Sequence, residues 1–255
     1  MSKHAIALAT MVGILVVATT STLPLIVHAE AGAATCPREN RCVRIDVEVR
    51  TGIAGAGDLV RSSSLGTVVA PGLILTHNHH TLLNRTGGDG ILVITESSGT
   101  SWHVSLSDLA LQPLDDGTLL IQLPGDVALT RDPLLPIGLD PRVQPGDWLR
   151  IAFRRPNTDT IELASFEVVQ VLVGRIRLAD PRHVIQSGCS GGGAYLDGLL
   201  IGNTWSIDKV EGRAVGSFTV ALLPEALPTA VAALSGTGRD GEPDDGDEGL
   251  MGSAR

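Results

Sequence analysis

Cys42-Val43-Arg44-Ile45-Asp46-Val47-Glu48-Val49 alternates without a break. Val43, Ile45, Val47 and Val49 fall on one side, and Arg44, Asp46 and Glu48 on the other. Successive side chains of a strand point to opposite faces, so this stretch reads as a strand with one face buried. Working outward, short apolar runs follow at Gly66–Val69, Leu73–Thr76, Ile91–Thr95, Trp102–Leu106 and Leu119–Leu123. After a proline-rich connection, Pro124–Pro136, they resume at Trp148–Phe153, Ile161–Leu163, Phe166–Val173, Ile176–Leu178, Leu199–Thr204 and Ala214–Leu222. Gly, Pro, Asp and Asn punctuate them, and no stretch of helical period intervenes before Pro224–Leu234. Many short strands without crossover helices predict an all-β barrel or sandwich. The connection at Pro124–Pro136 divides the strands into two groups. The Ala- and Leu-rich segment Pro224–Leu234 predicts a short C-terminal helix, in which Pro228 is tolerated only near the start.

The chain has 255 residues, 28 acidic against 19 basic, and a formal charge of −9. Neutralising phosphates needs a basic face, and these basic residues are scattered, so no nucleic-acid partner is expected. Lys3 and His4, an apolar stretch from Ala5 to about Ala18, and the small-x-small pattern Val27-His28-Ala29 read as a secretory signal peptide over residues 1–29. The alternative is an uncleaved membrane anchor, because the apolar region from Ala5 to Val27 is long enough for a bilayer core of ~30 Å. Thr19, Thr20, Ser21, Thr22 and Pro24 interrupt it and favour cleavage. The expected location is therefore secreted or extracytoplasmic. Residues 30–41 read as a flexible entry segment. The run 236–255, rich in Gly, Asp and Glu, lacks the apolar groups to build a core and is expected to be disordered. In an oxidising compartment Cys36 and Cys42 are expected to close a small disulfide loop, the other reading being two unpaired thiols.

Three segments carry chemistry. Ser187-Gly188-Cys189-Ser190-Gly191-Gly192-Gly193 surrounds a serine with small residues. Such a turn brings amide N–H groups to a substrate carbonyl, and Gly188 and Ser190 are spaced to hold an oxyanion. By itself the run is equally a glycine-rich turn. Thr76-His77-Asn78-His79-His80 ends an apolar strand in histidines. They are candidates for a metal site or a general base, but no carboxylate or cysteine set completes a metal site, so no metal is expected. Asp115-Asp116-Gly117-Thr118-Leu119-Leu120 places an acid ahead of a buried strand, and by itself reads as a turn.

Together the three segments resemble the chymotrypsin-like serine proteases, in their compact bacterial form. Thr76-His77-Asn78-His79 matches that family's histidine motif, Asp116-Gly117-Thr118-Leu119-Leu120 its acid motif, and Gly188 to Gly192 its nucleophile motif, in the family's order. The resemblance implies a two-barrel chymotrypsin-like fold with a terminal helix. It places the first barrel over 42–125, carrying His79 and Asp116, and the second over 126–235, carrying Ser190. Ser190 would attack a peptide carbonyl, His79 would move the proton, Asp116 would orient the imidazole, and the amides of Gly188 and Ser190 would form the oxyanion hole. A serine endopeptidase acting on peptide or protein through an acyl-enzyme, without a cofactor, is implied. The alternative is a catalytically silent binding module on the same fold. A histidine-based metal hydrolase is a third class, without the ligands it needs.

The sequence also departs from the family. Cys189 stands before the serine, where an acid accompanies zymogen activation in digestive members, so that route is not expected. Cys189 is expected to be packed, since free cysteine behaves as a small buried hydrophobe. The resemblance places Val184 at the pocket base, with Thr204 and Trp205 on a wall, and implies a small or apolar substrate side chain. His77 and His80 compete with His79 for the assignment.

Overall fold

The computed structural model describes residues 41–51, 58–79, 90–127, 129, 134–155 and 158–236. The expected leader, most of the entry segment, Cys36, His80 and the acidic tail beyond Gly236 lie outside them. The strands, in chain order, are β1 (Cys42–Thr51), β2 (Asp58–Ala70), β3 (Leu73–Thr76), β4 (Gly90–Thr95), β5 (Ser101–Ser105), β6 (Ala110–Pro113), β7 (Leu119–Gln122), β8 (Trp148–Arg154), β9 (Ile161–Leu172), β10 (Arg175–Ala179), β11 (Gly193–Leu196), β12 (Leu199–Val210) and β13 (Arg213–Leu222). One helix, α1 (Leu227–Gly236), follows.

β1 through β7 form one antiparallel sheet ordered β5-β4-β1-β2-β3-β7-β6, and the remaining strands close a six-stranded barrel ordered β10-β13-β12-β11-β8-β9. The expected all-β, two-unit architecture is present, with the first unit a half-barrel in which β5 and β6 are the end strands. The alternation of β1 survives in three dimensions. Val43, Ile45, Val47 and Val49 are buried with Ile74, Leu92, Ile94, Leu119 and Ile121 in the core of the first sheet. Burying each such side chain contributes about 1.5–3 kcal/mol. In the barrel, Leu149, Ile151, Phe153, Phe166, Val168, Ile176, Leu178, Phe218 and Val220 fill the interior. Phe166 stacks edge-on against both Phe153 and Phe218.

A third apolar cluster joins the two units. Leu65, Val69, Leu73, Leu75 and Leu120 of the sheet meet Ala152, Tyr195 and Leu200 of the barrel. The connecting segment is hydrogen-bonded on both sides: Leu135 N–H donates to the Val69 carbonyl at 2.9 Å and Gly138 N–H to the Leu200 carbonyl at 2.9 Å. α1 completes this cluster with Leu227, Ala230 and Val231. Gln122 of β7 also donates to the Leu234 carbonyl. The helix reading is met, with Pro228 in the first turn where its missing N–H costs nothing. However, α1 docks on the sheet that holds the histidine, rather than belonging only to the barrel with which the sequence grouped it.

Two strands and one extension were not legible in sequence. The Asp58–Ser64 part of β2 is polar, with Ser62, Ser63 and Ser64 in place of an alternating apolar face. β11 is Gly193-Ala194-Tyr195-Leu196, and β6 ends in Pro113 on the edge of its sheet. Their pairing comes from neighbours rather than local propensity.

The Cys36–Cys42 bridge is corrected. Cys42 is a free thiol, 2% exposed, in the cluster between the two units. Desolvation pushes its pKa from 9.0 to about 12. An unfolded chain ionises this thiol first, so its contribution to stability is complete below pH 9 and is lost as pH rises to about 12. Cys42→Ala is therefore expected to flatten the alkaline fall of unfolding free energy by about 1.4 kcal/mol per pH unit in that window. Urea melts of both proteins from neutral pH upward measure it, and parallel curves would contradict it.

Candidate active site

Ser190 lies in a loop between β10 and β11 that is built from the backbone outward. Asp180, 4% exposed, closes β10 and organises the approach. Its carboxylate accepts from Val184 N at 2.9 Å and Ile185 N at 2.8 Å, and its own N–H donates to the Gly216 carbonyl at 2.7 Å. Sequence reasoning missed Asp180, whose only local signal is the Asp180-Pro181 pair that commonly opens a turn. The Val184 side chain packs partly against the apolar cluster inside the barrel.

The loop then turns tightly. Gly188 adopts φ +93° and Gly191 φ +88°, both in the left-handed region that favours glycine. Cys189 N–H donates to the Gln186 carbonyl at 3.0 Å, and Gly192 N–H to the Cys189 carbonyl at 3.1 Å. The Ser190 carbonyl accepts from Leu65 N at 2.8 Å, which pins the loop to β2 of the other unit. Gly191 N–H donates to the Thr204 carbonyl at 2.7 Å, and Thr204 N–H to the Gly192 carbonyl at 2.8 Å, which pins it to β12. Glycine is obligatory where the chain passes closest. A Cβ on Gly191 would stand 2.0 Å from the Leu65 carbonyl oxygen, and one on Gly192 2.2 Å from that of Ala152.

These bonds engage the loop's carbonyls and several of its amides, but neither Gly188 N–H nor Ser190 N–H donates to a backbone carbonyl among the described residues. Those are the two amides expected to face an oxyanion. Cys189 points inward, 1% exposed, with its thiol 3.6 Å from the Arg154 carbonyl. Desolvation raises its pKa, which keeps it a neutral packing group, as the sequence reading expected.

Behind the loop the two units are tied by charge as well as by apolar packing. Arg154 of β8 donates to Ser63 Oγ of β2 at 2.7 Å and pairs with Asp159, which also pairs with Arg44 of β1.

His79 follows β3 and is exposed. Thr76, at the end of β3, donates to the Leu65 carbonyl at 2.7 Å, so the strand that delivers the histidine and the loop that delivers the serine share Leu65 as an anchor. His79 Nε2 lies 2.9 Å from the Trp205 carbonyl, and its ring meets the Trp205 ring edge-on at 5.4 Å. A carbonyl only accepts, so this nitrogen carries the proton. The His77 ring centroid lies 4.5 Å from that of His79, with the two rings tilted by 59°.

Asp115 and Asp116 precede β7. Asp115 caps the turn: its Oδ1 accepts from Gly117 N at 2.8 Å, and its carbonyl accepts from Asn78 Nδ2 at 2.6 Å. Asp116 turns outward. Its side chain is 85% exposed and its Oδ2 lies 3.1 Å from Arg175 Nη2. The Arg175 guanidinium lies 3.6 Å over the Trp205 ring. His79, Asp116 and Trp205 are thus gathered at one place. Among the described residues, however, no hydrogen bond joins His79 to Asp116 or to Ser190. Thr204 is buried beside Trp205, its backbone holding the serine loop. No group of three or more His, Cys, Asp or Glu suited to a metal occurs among the described residues.

Beside the acid, a cleft of about 470 Å³ is bordered by Asp116, Gly174, Arg175, Leu222 and Glu225. Its lining includes neither Ser190 nor His79.

No family model matches the sequence, and no curated protein matches it. Solved structures do match in shape. A serine endoprotease from Yersinia pestis superposes with a TM-score of 0.52 at 18% identity, over 76% of this chain and 62% of that one. An HtrA-type protease, AlgW, solved with a tripeptide, superposes with a TM-score of 0.54 at 17% identity, over 77% of this chain and 61% of that one. This chain therefore spans about three-fifths of the length of those proteases. With the closed barrel, the half-barrel and the terminal helix, this likeness establishes that the chain has the fold of the chymotrypsin-like serine proteases.

Proposed function

We propose that this chain is an exported serine endopeptidase in which Ser190 is the nucleophile, His79 the general base and Asp116 its orienting acid. The observation that carries the reading is the loop around Ser190. Its carbonyls and flanking amides are locked to β2 and β12, while the amides of Gly188 and Ser190 have no backbone acceptor among the described residues. Two amide donors left open in a loop held this firmly suit the oxyanion of acyl transfer, and each such donor is worth about 10²–10³ in rate. In the reaction Ser190 Oγ bonds to the peptide carbonyl carbon as His79 takes its proton. The proton passes to the leaving amine when the C–N bond breaks, and water then releases the acyl group by the same path. β12 pairs with β11 only as far as Asn203, and its edge beyond that point, beside Trp205, suits an extended peptide laid as an added strand.

The second reading is a silent binding module. It is favoured by the outward, exposed Asp116 and by the protonated His79 nitrogen facing Trp205. A fluorophosphonate probe separates the two. Stoichiometric modification mapped to Ser190, absent from Ser190→Ala, is the result expected of the hydrolase. A folded wild-type protein that stays unmodified, and cleaves no peptide in a mixed library, would leave the binding module.

A further inference from the structure

Arg175 belongs to none of the three motifs, yet it touches both sides of the site. It opens β10 at the tip of the β9–β10 hairpin, one residue after Gly174, whose φ of +68° makes the tight turn. One arm of its guanidinium binds Asp116, and the plane of the group covers Trp205. We propose that Arg175 is a positioning residue that holds the acid and the base of this site apart in the resting protein. The inference rests on the roles proposed above for Ser190, His79 and Asp116.

The physical argument has three parts. First, a guanidinium is permanently charged and offers planar donors, so it holds a carboxylate beside it against weaker donors such as a neutral imidazole N–H. Asp115 is already committed to Gly117 N, which leaves Asp116 as the acid able to turn. Second, a cation over its face pins the Trp205 ring. Trp205 sits at a register shift between Thr204 and Ser206, so its backbone is out of step with β13, and its carbonyl accepts the hydrogen bond from His79 Nε2–H. A general base facing serine needs the opposite tautomer, with Nε2 bare and the proton on Nδ1 toward the acid. Third, the resting arrangement leaves polar atoms unserved. Thr204 Oγ1 and Trp205 Nε1 are buried with no partner among the described residues. Gly117, the neighbour of Asp116, lies against Trp205, so an inward-turned Asp116 carboxylate would bring an acceptor to this place.

Arg175→Gln keeps most of the side chain and removes the charge. The pair it breaks is exposed, 32% for Arg175 and 85% for Asp116, so the melting temperature is expected to stay unchanged. Two readouts test the proposal on the full exported chain. In ¹⁵N NMR of histidine-labelled protein, with the His79 signals identified by their loss in His79→Gln, the wild type is expected to show the Nε2-protonated form and Arg175→Gln the Nδ1-protonated form. The rate of fluorophosphonate modification of Ser190 is expected to rise about five- to thirtyfold in Arg175→Gln. Asp116→Asn in the same background should remove that gain. Raising salt from about 0.05 M to about 0.5 M should accelerate the wild type and leave Arg175→Gln unaffected. Arg175→Gln modified no faster than wild type, or His79 holding one tautomer in both proteins, would overturn the positioning role. If the tautomer changes while no form is ever modified, the positioning role stands and the hydrolase reading falls.

Discussion

His79→Ala is expected to slow modification of Ser190 by a fluorophosphonate, and cleavage of any peptide substrate, by about 10³- to 10⁴-fold. The size follows from what is left behind. A serine hydroxyl without a base is a poor nucleophile at neutral pH, but the Gly188 and Ser190 amides would still stabilise the oxyanion. A residual rate above that of Ser190→Ala is therefore part of the expectation. Substrate KM should change little, because His79 touches the reacting atoms rather than the peptide's side chains. Measuring kcat and KM separately decides the matter. A loss below tenfold would mean that another group, His77 being the neighbouring imidazole, serves as base.

Gly191→Ala is expected to destabilise the protein by about 3–5 kcal/mol and to lower its melting temperature by about 10 °C or more. Two costs add. The added Cβ would meet the Leu65 carbonyl oxygen at 2.0 Å and Thr76 Oγ1 at 2.3 Å, and φ of +88° strains any L side chain. The obstructing atom is backbone, and it belongs to the residue whose N–H holds the Ser190 carbonyl. Relief of the clash must therefore move the loop from β2 and disturb the serine, so modification of Ser190 should fall with stability. Gly99→Ala separates the two costs. Gly99 has φ +87° with nothing within 4 Å of the added carbon, so it bears the backbone cost alone, about 1–2 kcal/mol. Equal losses in the two variants would show that the close approach at Gly191 is not structural.

Local chemistry carried the reading of sequence as far as period and turn residues reach. The alternation of Val43, Ile45, Val47 and Val49 became the buried face of β1, and Leu73–Thr76 became β3 with the predicted bounds. The glycines around Ser190 proved to be positions of positive φ or close approach. Cys189 proved to be packed. These were legible because a strand's period and a glycine's backbone freedom are properties of the segment itself.

What lay beyond sequence depends on groups brought together from far apart. The polar half of β2, from Asp58 to Ser64, is a strand because β1 pairs with it residue by residue. Cys42 is a buried thiol because α1, β2 and the barrel close over the place where it sits. Asp116 has a motif that marks it as an acid, but nothing near it in sequence announces Arg175, 59 residues away. By itself the sequence determined where most strands lie along the chain, the glycine-rich turn around Ser190, and the residues available for proton transfer, since each follows from local side-chain pattern and backbone geometry. Only the tertiary structure decided which carboxylate faces which cation and which carbonyl accepts the hydrogen bond from His79, because charges and hydrogen-bond donors choose partners by distance through space rather than along the chain.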